Sequence, residues 1–584
     1  MSEADILAGY VAWHANHGAV TPEEACAIQA HIGRMQRRPD ISVLVLLQSG
    51  AAAQARATLA SLDAQLYPAW HCVLAGDAAA WDEVGAGAEL LPGQQAQRLR
   101  TARLGPGTGL AGCGTAALAQ ADGDFVLLLM PGETLARHAL YEIAALLAAR
   151  PEADVVYSDE DEITATGEHG APKFKPGWDS DLLLTHDYLG GLVAYRRRLL
   201  ERIGGLDGRD AGALRYGLAL RATAAAGPDC VAHIPAVLFH RPADGAHSPD
   251  GAAAVAQAFV GRAAQVMPSP LAPGYHRVQW LLPSPAPHVT VIVPIRDRAG
   301  LLLTCAEGVL RRTDYPSLDL LIVDNDSVEP QTGAALAQLQ ADTRVSVLPY
   351  PGAFNYAAIN NAAVQAATGA VVVLLNSDTA VIHPGWLHEL AAQAMRPDVG
   401  AVGAKLLYAD ETVQHGGVVL APGGHLVHQH RLAPRCSGGY MNSLRLQRET
   451  LVATAACLAM RRSVFLQTGG LDADLFAISF NDVDFCLRLR EQGYRVIWTP
   501  YAELFHYESQ SRGRAASHAE RTRETREANL LRRRWNHLFP RDPFLNQNLT
   551  CSWDEPLRLS LPRRVAPWQA GKQRHAGAAV QGDR

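Results

Sequence analysis

Three short stretches of this chain place carboxylates where the flanking residues are apolar. VVVLLNSDTAVI (371–382) runs five apolar residues into Asn376-Ser377-Asp378 before an apolar segment resumes. A carboxylate at the mouth of a hydrophobic strand is costly unless it is paired or bound to a cation, although Asn, Ser and Asp are also favoured turn residues. LLIVD (320–324) ends at Asp324 and continues into Asn325, Asp326 and Ser327. These acceptors either hold the base or ribose of a nucleoside beyond a strand's carboxyl end or form a simple strand-to-loop turn. Asn481-Asp482-x-Asp484 heads an amphipathic helix, where acids favour the positive helix end or serve as a base. LFHYESQSRG then supplies His506, with Ser509 and Arg512 downstream.

The chemistry these residue types share is displacement of a nucleoside diphosphate. Its departure needs developing negative charge to be neutralised, as a divalent, oxygen-liganded ion does. An attacking hydroxyl needs a carboxylate to take its proton. Asp378 suits the cation, His506 the cation or a phosphate, and Asp482 or Asp484 the base. The set points to glycosyl transfer.

Alternating strand and helix patterns must position these groups, which indicates an α/β fold with a largely parallel sheet. FNYAAINNAAVQAATG (354–369) reads as a helix carrying Asn360-Asn361, with Gly369 as its stop signal. The plan occurs twice. ISVLVLLQ near residue 41 and VTVIVPIRD near 289 each lead to a helix, a Tyr-Pro pair (Tyr67-Pro68, Tyr315-Pro316) and a further strand. FVLLLM (125–130) matches VVVLLN (371–376), AYRRRLLERIGGLD (194–207) matches AMRRSVFLQTGGLD (459–472), and LFH recurs at 238–240 and 504–506. The offset between matching residues changes once, as a single insertion would make it. A period of this length means duplicated domains. The expected layout is a helical segment over 1–39, domains over 40–245 and 288–513, a Pro-rich linker over 246–287, and a C-terminal helix with an irregular tail over 514–584.

Composition agrees with a globular chain: 584 residues, 48% hydrophobic and 19% charged. A net charge of −6 gives no reason to expect nucleic acid, and nine Cys without a CxxC pair fit a reducing compartment. The first residues lack the long apolar core of a signal peptide, and no apolar run approaches the ~18 residues of a membrane span. A cytoplasmic protein is expected, with peripheral contact at the inner face of the cell membrane also open.

VIVPIRDRAGLL, IVDNDS, FNYAAINN, LLNSDTAVI, GAVGAKLLY, VQHGGVVL, FNDVDFCLRLREQGYR and YAELFHYESQSRG, spanning most of 289–513, together resemble family 2 glycosyltransferases of the bacterial O-antigen and cell-surface polysaccharide type, including rhamnosyltransferase-like enzymes. The first domain resembles the same family through VVYSDEDEI, FKPGWDSDLLL and AYRRRLL. The resemblance implies two tandem GT-A folds, Rossmann-like with mostly parallel central sheets, a nucleotide-sugar donor, inversion at the anomeric carbon and a divalent metal, Mg2+ or Mn2+. The acceptor it implies is a saccharide or a lipid-linked saccharide. Donor contacts would fall on Pro294, Arg296, Asp324, Asn325, Asp326, Asn360, Asn361, Asn376 and Ser377. Asp378 and His506 would hold the metal, Asp482 would be the base, and Asp484 is the runner-up. Asn376 replaces the first Asp of the family's D-x-D motif, and Asn481 stands where a Glu often precedes the base.

In the first domain the same positions have eroded. The offsets match Asp324 with Gly76, Asp326 with Ala78, Asp378 with Gly132 (Glu133 beside it), Asp482 with Arg215 and Asp484 with Gly217. An arginine stays protonated and cannot act as a base, so the first domain is expected to be non-catalytic. A scaffold in which both domains only bind polysaccharide is the competing class. Asn376 and Asn481 favour it, while the retained Asp324, Asp378, Asp482 and His506 argue against it. SDEDE (158–162) reads as a solvated acidic loop or an acceptor or metal site. His425, His428 and His430 have metal-ligand spacing within a Gly-rich stretch and read rather as a loop. REANLLRRRWNHLF (526–539) reads as a helix lying against the second domain or touching anionic lipid.

Overall fold

A strand that is apolar on every residue must be covered on both faces. In the computed structural model Phe125–Leu129 (FVLLL) and Val371–Leu375 (VVVLL) are such strands, buried along their whole length near the middle of two large sheets. The structure describes residue 5 and residues 7–84, 97–206, 214–243, 251–259, 263–507, 517–538, 541–553 and 555–569. Ser509 and Arg512 lie outside the described residues. The chain divides into a first unit (Leu7–Val260, Asn546–Leu549 and Arg558–Arg584) and a second (Gly261–Leu545 with Met1–Ile6 and Thr550–Leu557).

The first sheet comprises β1 (Ile41–Leu46), β2 (Trp70–Asp77), β3 (Leu99–Leu104), β4 (Phe125–Leu129), β5 (Thr134–Leu135), β6 (Val155–Ile163), β7 (His169–Lys173), β8 (Val193–Arg196) and β9 (Val231–Pro242). Their order is β3-β2-β1-β4-β8-β6-β9-β5, with β7 on β6. The second unit begins with an antiparallel hairpin, β10 (Ala264–Pro268) and β11 (His276–Trp280). Its sheet comprises β12 (Val289–Ile295), β13 (Leu318–Asp324), β14 (Val345–Pro349), β15 (Val371–Leu375), β16 (Thr379–Val381), β17 (Val399–Leu407), β18 (Val413–His415), β21 (Arg448–Glu449), β22 (Cys457–Arg461) and β23 (Arg495–His506), while β19 (Val418–Ala421) and β20 (His425–His428) form a separate hairpin. The order β14-β13-β12-β15-β22-β17-β23-β16, with β18 on β17, repeats the nine strands of the first sheet, and β21 is added on β23. In each copy the first four strands are parallel, the next is antiparallel, a parallel pair follows, and a short antiparallel strand closes the edge. The α/β class with tandem sheets is therefore observed.

One packing detail is duplicated as well. The Gly123 amide donates to Ser42 Oγ (3.0 Å) and the Gly369 amide to Thr290 Oγ1 (2.9 Å), each at the entry to a central strand. A Cβ on Gly369 would stand 2.5 Å from the Thr290 amide nitrogen. The residue that read as a helix stop is thus a point of close backbone approach.

The structure corrects three local expectations. SDEDE is the middle of β6, where Asp159, Glu160 and Asp161 are all buried, because each has found its own partners. Asp159 accepts from the Lys175 amide, His233 and Asn546; Glu160 binds Lys175 and Arg241; Asp161 accepts from Tyr10 and from two histidines. The stretch 425–430 is in part strand: β20 pairs with β19, His425 is exposed, His428 faces His415, and His430 meets Ser443, so the three rings diverge. Residues 246–287 contain the helix Ala252–Ala258 and the β10–β11 hairpin, and Arg277 of β11 binds Glu389 in the helix Trp386–Ala394.

The C-terminal helix His518–Arg534 starts at a Ser517–Glu520 capping box. Its Leu531, with Trp535 just beyond it, is buried against the second unit's core, and Glu527 accepts from the Ser479 amide. It therefore lies along the second unit. Among the described residues no helix is long and apolar enough to cross a membrane.

Replacing Gly369 by Ala should lower the unfolding midpoint, at a cost of about 1–3 kcal/mol. Gly333→Ala, in a helix where an added Cβ meets nothing within 4 Å, should instead stabilise by about 0.4–1 kcal/mol. Thermal unfolding of the two variants checks the opposite signs.

Candidate functional site

The site is assembled along the carboxyl ends of β12, β13 and β15. At β13 the acids shape the backbone as well as lining it. Asp324 Oδ1 accepts from the Ser327 amide (3.1 Å) and Asp326 Oδ2 from the Gly352 amide (2.7 Å). Asp297, which the sequence did not single out, accepts from the amides of Val328 and Glu329 and donates its own amide to Ser327 Oγ. Asp297, Arg298 and Asp326 all have positive φ (59°, 65° and 55°), so both strand exits bend sharply. Buried Asn325 donates to the carbonyls of Tyr350 and Gly352, while its Oδ1 is buried without a hydrogen-bond partner. Pro294 is half-buried at the end of β12 and Arg296 is exposed beyond it.

On the helix Tyr356–Ala366 the two asparagines part company. Asn360 is fully buried, donates to the Tyr356 carbonyl and leaves Oδ1 unpartnered. Asn361 engages both ends of its amide with the backbone of Leu471, which fixes the GGLD turn rather than facing a ligand.

Beyond β15, Asp378 is only 4% exposed. The antiparallel pairing of β16 with β23 sets Thr379 opposite His506, which brings His506 Nε2 to 3.2 Å from Asp378 Oδ1. Gln414, next to the end of β18, accepts from His506 Nδ1 at 2.6 Å while its amide nitrogen points to the His506 carbonyl. With Nδ1 carrying that proton, the lone pair of a neutral His506 lies on Nε2. Asn376 donates to the same Nε2 (3.2 Å), and Tyr356 donates to Asn376 Oδ1 (3.3 Å). Ser377 lies between these groups, half-buried. Imidazole nitrogen and carboxylate oxygen facing each other in this way fit ligation of a divalent ion.

The helix Asn481–Glu491 presents the remaining acids. Phe480, its N-cap, is in the left-handed region (φ 60°). Asp482 is half-buried, accepts from the amides of Ala455 (3.0 Å) and Val483 (2.8 Å), and burial raises its carboxyl above the ordinary range. Asp484 is fully buried, with Oδ2 on Arg488 (2.8 Å) and Oδ1 on Trp535 Nε1 (3.0 Å) and Arg534 (3.3 Å). The runner-up base of the sequence therefore anchors the C-terminal helix, and Asp482 is the one with room for a substrate.

A tripeptide absent from the sequence reading joins the two chemical ends. Ala455 N–H binds Asp482, Ala456 accepts from the Asn376 amide, and Tyr356 Oη donates to the Ala455 carbonyl. The Thr454 amide donates to His415 Nε2, and burial with the neighbouring His428 holds His415 well below the usual histidine range. Thr-Ala-Ala carries no chemical signature, so only the fold could reveal it; Gln414 and His415 stood within VQHGGVVL without an assigned role. Beside Phe480 a pocket is lined by Leu426, Val427, Leu531, Arg532 and Trp553.

Residues 285–535 match the family described as "Glycosyltransferase like family 2". The segment belongs to that family. Among curated proteins, this chain is 35% identical over 553 residues to the uncharacterized protein y4gI of Sinorhizobium fredii (91% of this chain, 60% of that protein). It is 37% identical over 522 residues to the O-antigen biosynthesis protein RfbC of Myxococcus xanthus (87% of this chain, 40% of that protein). The chain thus spans about half the length of the curated relatives it matches. Among solved structures it is similar to the mannosyltransferase PcManGT from Pyrobaculum calidifontis, in complex with GDP-Man and Mn2+, at 19% identity and a TM-score of 0.32, over 56% of this chain and 86% of that one.

The first unit holds a different set of residues at the equivalent places. Thr134 pairs with His240 as Thr379 pairs with His506, so the counterpart of Asp378 is Glu133 and not Gly132. MPGET carries one residue more than NSDT, which a fixed offset cannot locate. Glu133 is buried and bound by both terminal nitrogens of Arg215. Arg215 lies near the start of the described helix Leu214–Ala226, as Asp482 lies near the start of Asn481–Glu491.

Asp484→Ala should destabilise the second unit by about 3–5 kcal/mol, because it leaves Arg488 without its buried partner. Asp482→Asn should leave the unfolding midpoint near that of the parent. Paired thermal or denaturant melts separate the two.

Proposed function

We propose that the second unit is an inverting, metal-dependent glycosyltransferase that moves a sugar from a nucleotide-diphosphate donor to a hydroxyl of a saccharide or lipid-linked acceptor in surface polysaccharide synthesis. The observation that carries this reading is the link between Asp482 and Asn376 through Ala455-Ala456, which ties a half-buried carboxylate of raised pKa to the Asp378–His506 pair.

Asp324, Asn325 and Asp326 would receive the nucleoside, where the unpartnered Asn325 Oδ1 awaits a donor. Asp378 and His506 would hold Mg2+ or Mn2+, which when bound neutralises the negative charge that develops on the leaving diphosphate. Gln414 keeps the proton of His506 on Nδ1 and so keeps Nε2 available. Asp482 accepts the acceptor hydroxyl's proton as its oxygen attacks the anomeric carbon. Burial gives that carboxylate the raised basicity a general base needs. The pocket beside Phe480, with Trp553 and apolar walls, supports an acceptor that presents a sugar face or the start of a lipid.

The first unit is read as non-catalytic. Arg215 occupies the base position and its fixed positive charge compensates Glu133, so neither group is free for a cation or a proton. The whole protein's donor, acceptor and linkage belong to this proposal.

Asp482→Asn should reduce transfer by about 10²–10⁴-fold while donor affinity, measured by calorimetry with metal present, changes little; parent turnover in that variant would remove the base assignment. The parent rate should fall as pH drops through the raised Asp482 value, giving an acid limb above the ordinary aspartate range near ~3.9. The double variant Glu133→Gln/Arg215→Met, which removes both partners of the buried pair, should turn over close to the parent. A loss as deep as that of Asp482→Asn would place chemistry in the first unit.

A further inference from the structure

The first unit carries a second donor set that neither the glycosyl-transfer reading nor the Glu133–Arg215 pair uses. His240 near the end of β9 is the register counterpart of His506, yet its partners are new. β9 lies parallel to β6, which places His240 beside Asp161. β7 contributes His169 from its first residue, and the helix Tyr10–His17 contributes His14. His240 Nδ1 is 2.5 Å from Asp161 Oδ1, His169 Nδ1 is 2.8 Å from Asp161 Oδ2, and His14 Nε2 is 3.9 Å from Oδ2. All four potential ligand atoms lie within 4.8 Å of one another.

Three features distinguish this cluster from an ordinary buried hydrogen-bond network. His14 Nε2 is buried, lies 3.9 Å from Asp161 Oδ2 and has no hydrogen-bond partner; a buried polar atom left so costs about 1–3 kcal/mol. Tyr10 Oη donates to Asp161 Oδ2 at 2.7 Å, the outer-shell contact that orients a ligating carboxylate. The His14 ring is also packed tightly against the end of its own helix, where a Cβ on Gly18 would stand 2.3 Å from Cδ2.

We propose that His14, Asp161, His169 and His240 form a four-ligand site for a borderline divalent transition ion, with Zn2+ the best match. Three imidazole nitrogens and one carboxylate oxygen suit that class, whereas Mg2+ and Ca2+ prefer oxygen ligands. Four protein ligands make a closed, structural site. It ties the N-terminal helix to β6, β7 and β9 within one unit.

The test uses the full chain, freed of any affinity tag, stripped of metal and given one equivalent of Co2+ before dialysis. One equivalent should be retained with the visible absorption of a four-coordinate site, and it should persist in Asp378→Asn/His506→Gln, which lacks the metal ligands proposed for the second unit. His14→Gln, His240→Gln and Gly18→Ala (the last displaces the ring without removing a ligand) should each weaken retention at least about tenfold. Zn2+ should raise the unfolding midpoint of the parent but not of the two His variants. Failure of the parent to retain cobalt would overturn the site. So would retention that is lost in Asp378→Asn/His506→Gln and unchanged in the His14 and His240 variants.

Discussion

A carboxylate held out of water at the end of a central strand must have positive charge beside it. The two halves of this chain meet that demand in different ways on the same sheet topology. In the first unit Arg215 is built in and binds Glu133 through both terminal nitrogens. In the second, Asp378 faces the Nε2 atom of a histidine whose Nδ1 proton is committed to Gln414. In the first unit the compensating charge is an internal guanidinium. On the proposed reading, a cation arriving with the donor would supply it in the second.

The rest of the second site follows from how the closing edge is made. β23 is shifted against β17 between Ala404 and Lys405, and β9 against β6 between Ser158 and Asp159. Such irregularities re-aim the residues beyond them. Past the shift, β23 carries His506 to the short strand that follows Asp378. Thr454-Ala455-Ala456, entering β22 beside β15, then links that corner to Asp482 through the Ala455 amide and the Ala456 carbonyl. Backbone contacts tolerate little adjustment, so the separation of Asp482 from the Asp378–His506 corner is held largely by the sheet.

Much of this was legible in the sequence because it is local. Strand-end acids, the helix headed by Asn481-Asp482 and the doubled LFH motif each sit within a few residues, and their periodicity places them on known elements. What was not legible depends on distant partners. Asp482 and Asp484 look alike on one helix, and only Arg534 and Trp535, some fifty residues on, show that Asp484 faces the core. SDEDE looks solvated until Lys175, Arg241, His233 and Asn546 are brought to it. The one-residue difference between MPGET and NSDT moved the apparent counterpart of Asp378 onto a glycine, and pairing register alone restored Glu133.

Once Arg215 satisfies Glu133, the first unit has no use for a histidine at the end of β9 as a partner to that carboxylate. His240 is nonetheless held in the same register, because β5 and β9 still pair there. A partly buried imidazole on a fixed strand must find a polar neighbour, and the nearest is the strand beside it, where Asp161 is buried. Two further histidines and a tyrosine converge on that carboxylate. The same strand register therefore puts a histidine beside a different carboxylate in each unit, a single strand to one side in the first. A histidine–carboxylate corner and a histidine-rich cluster around a buried aspartate are two outcomes of one topology.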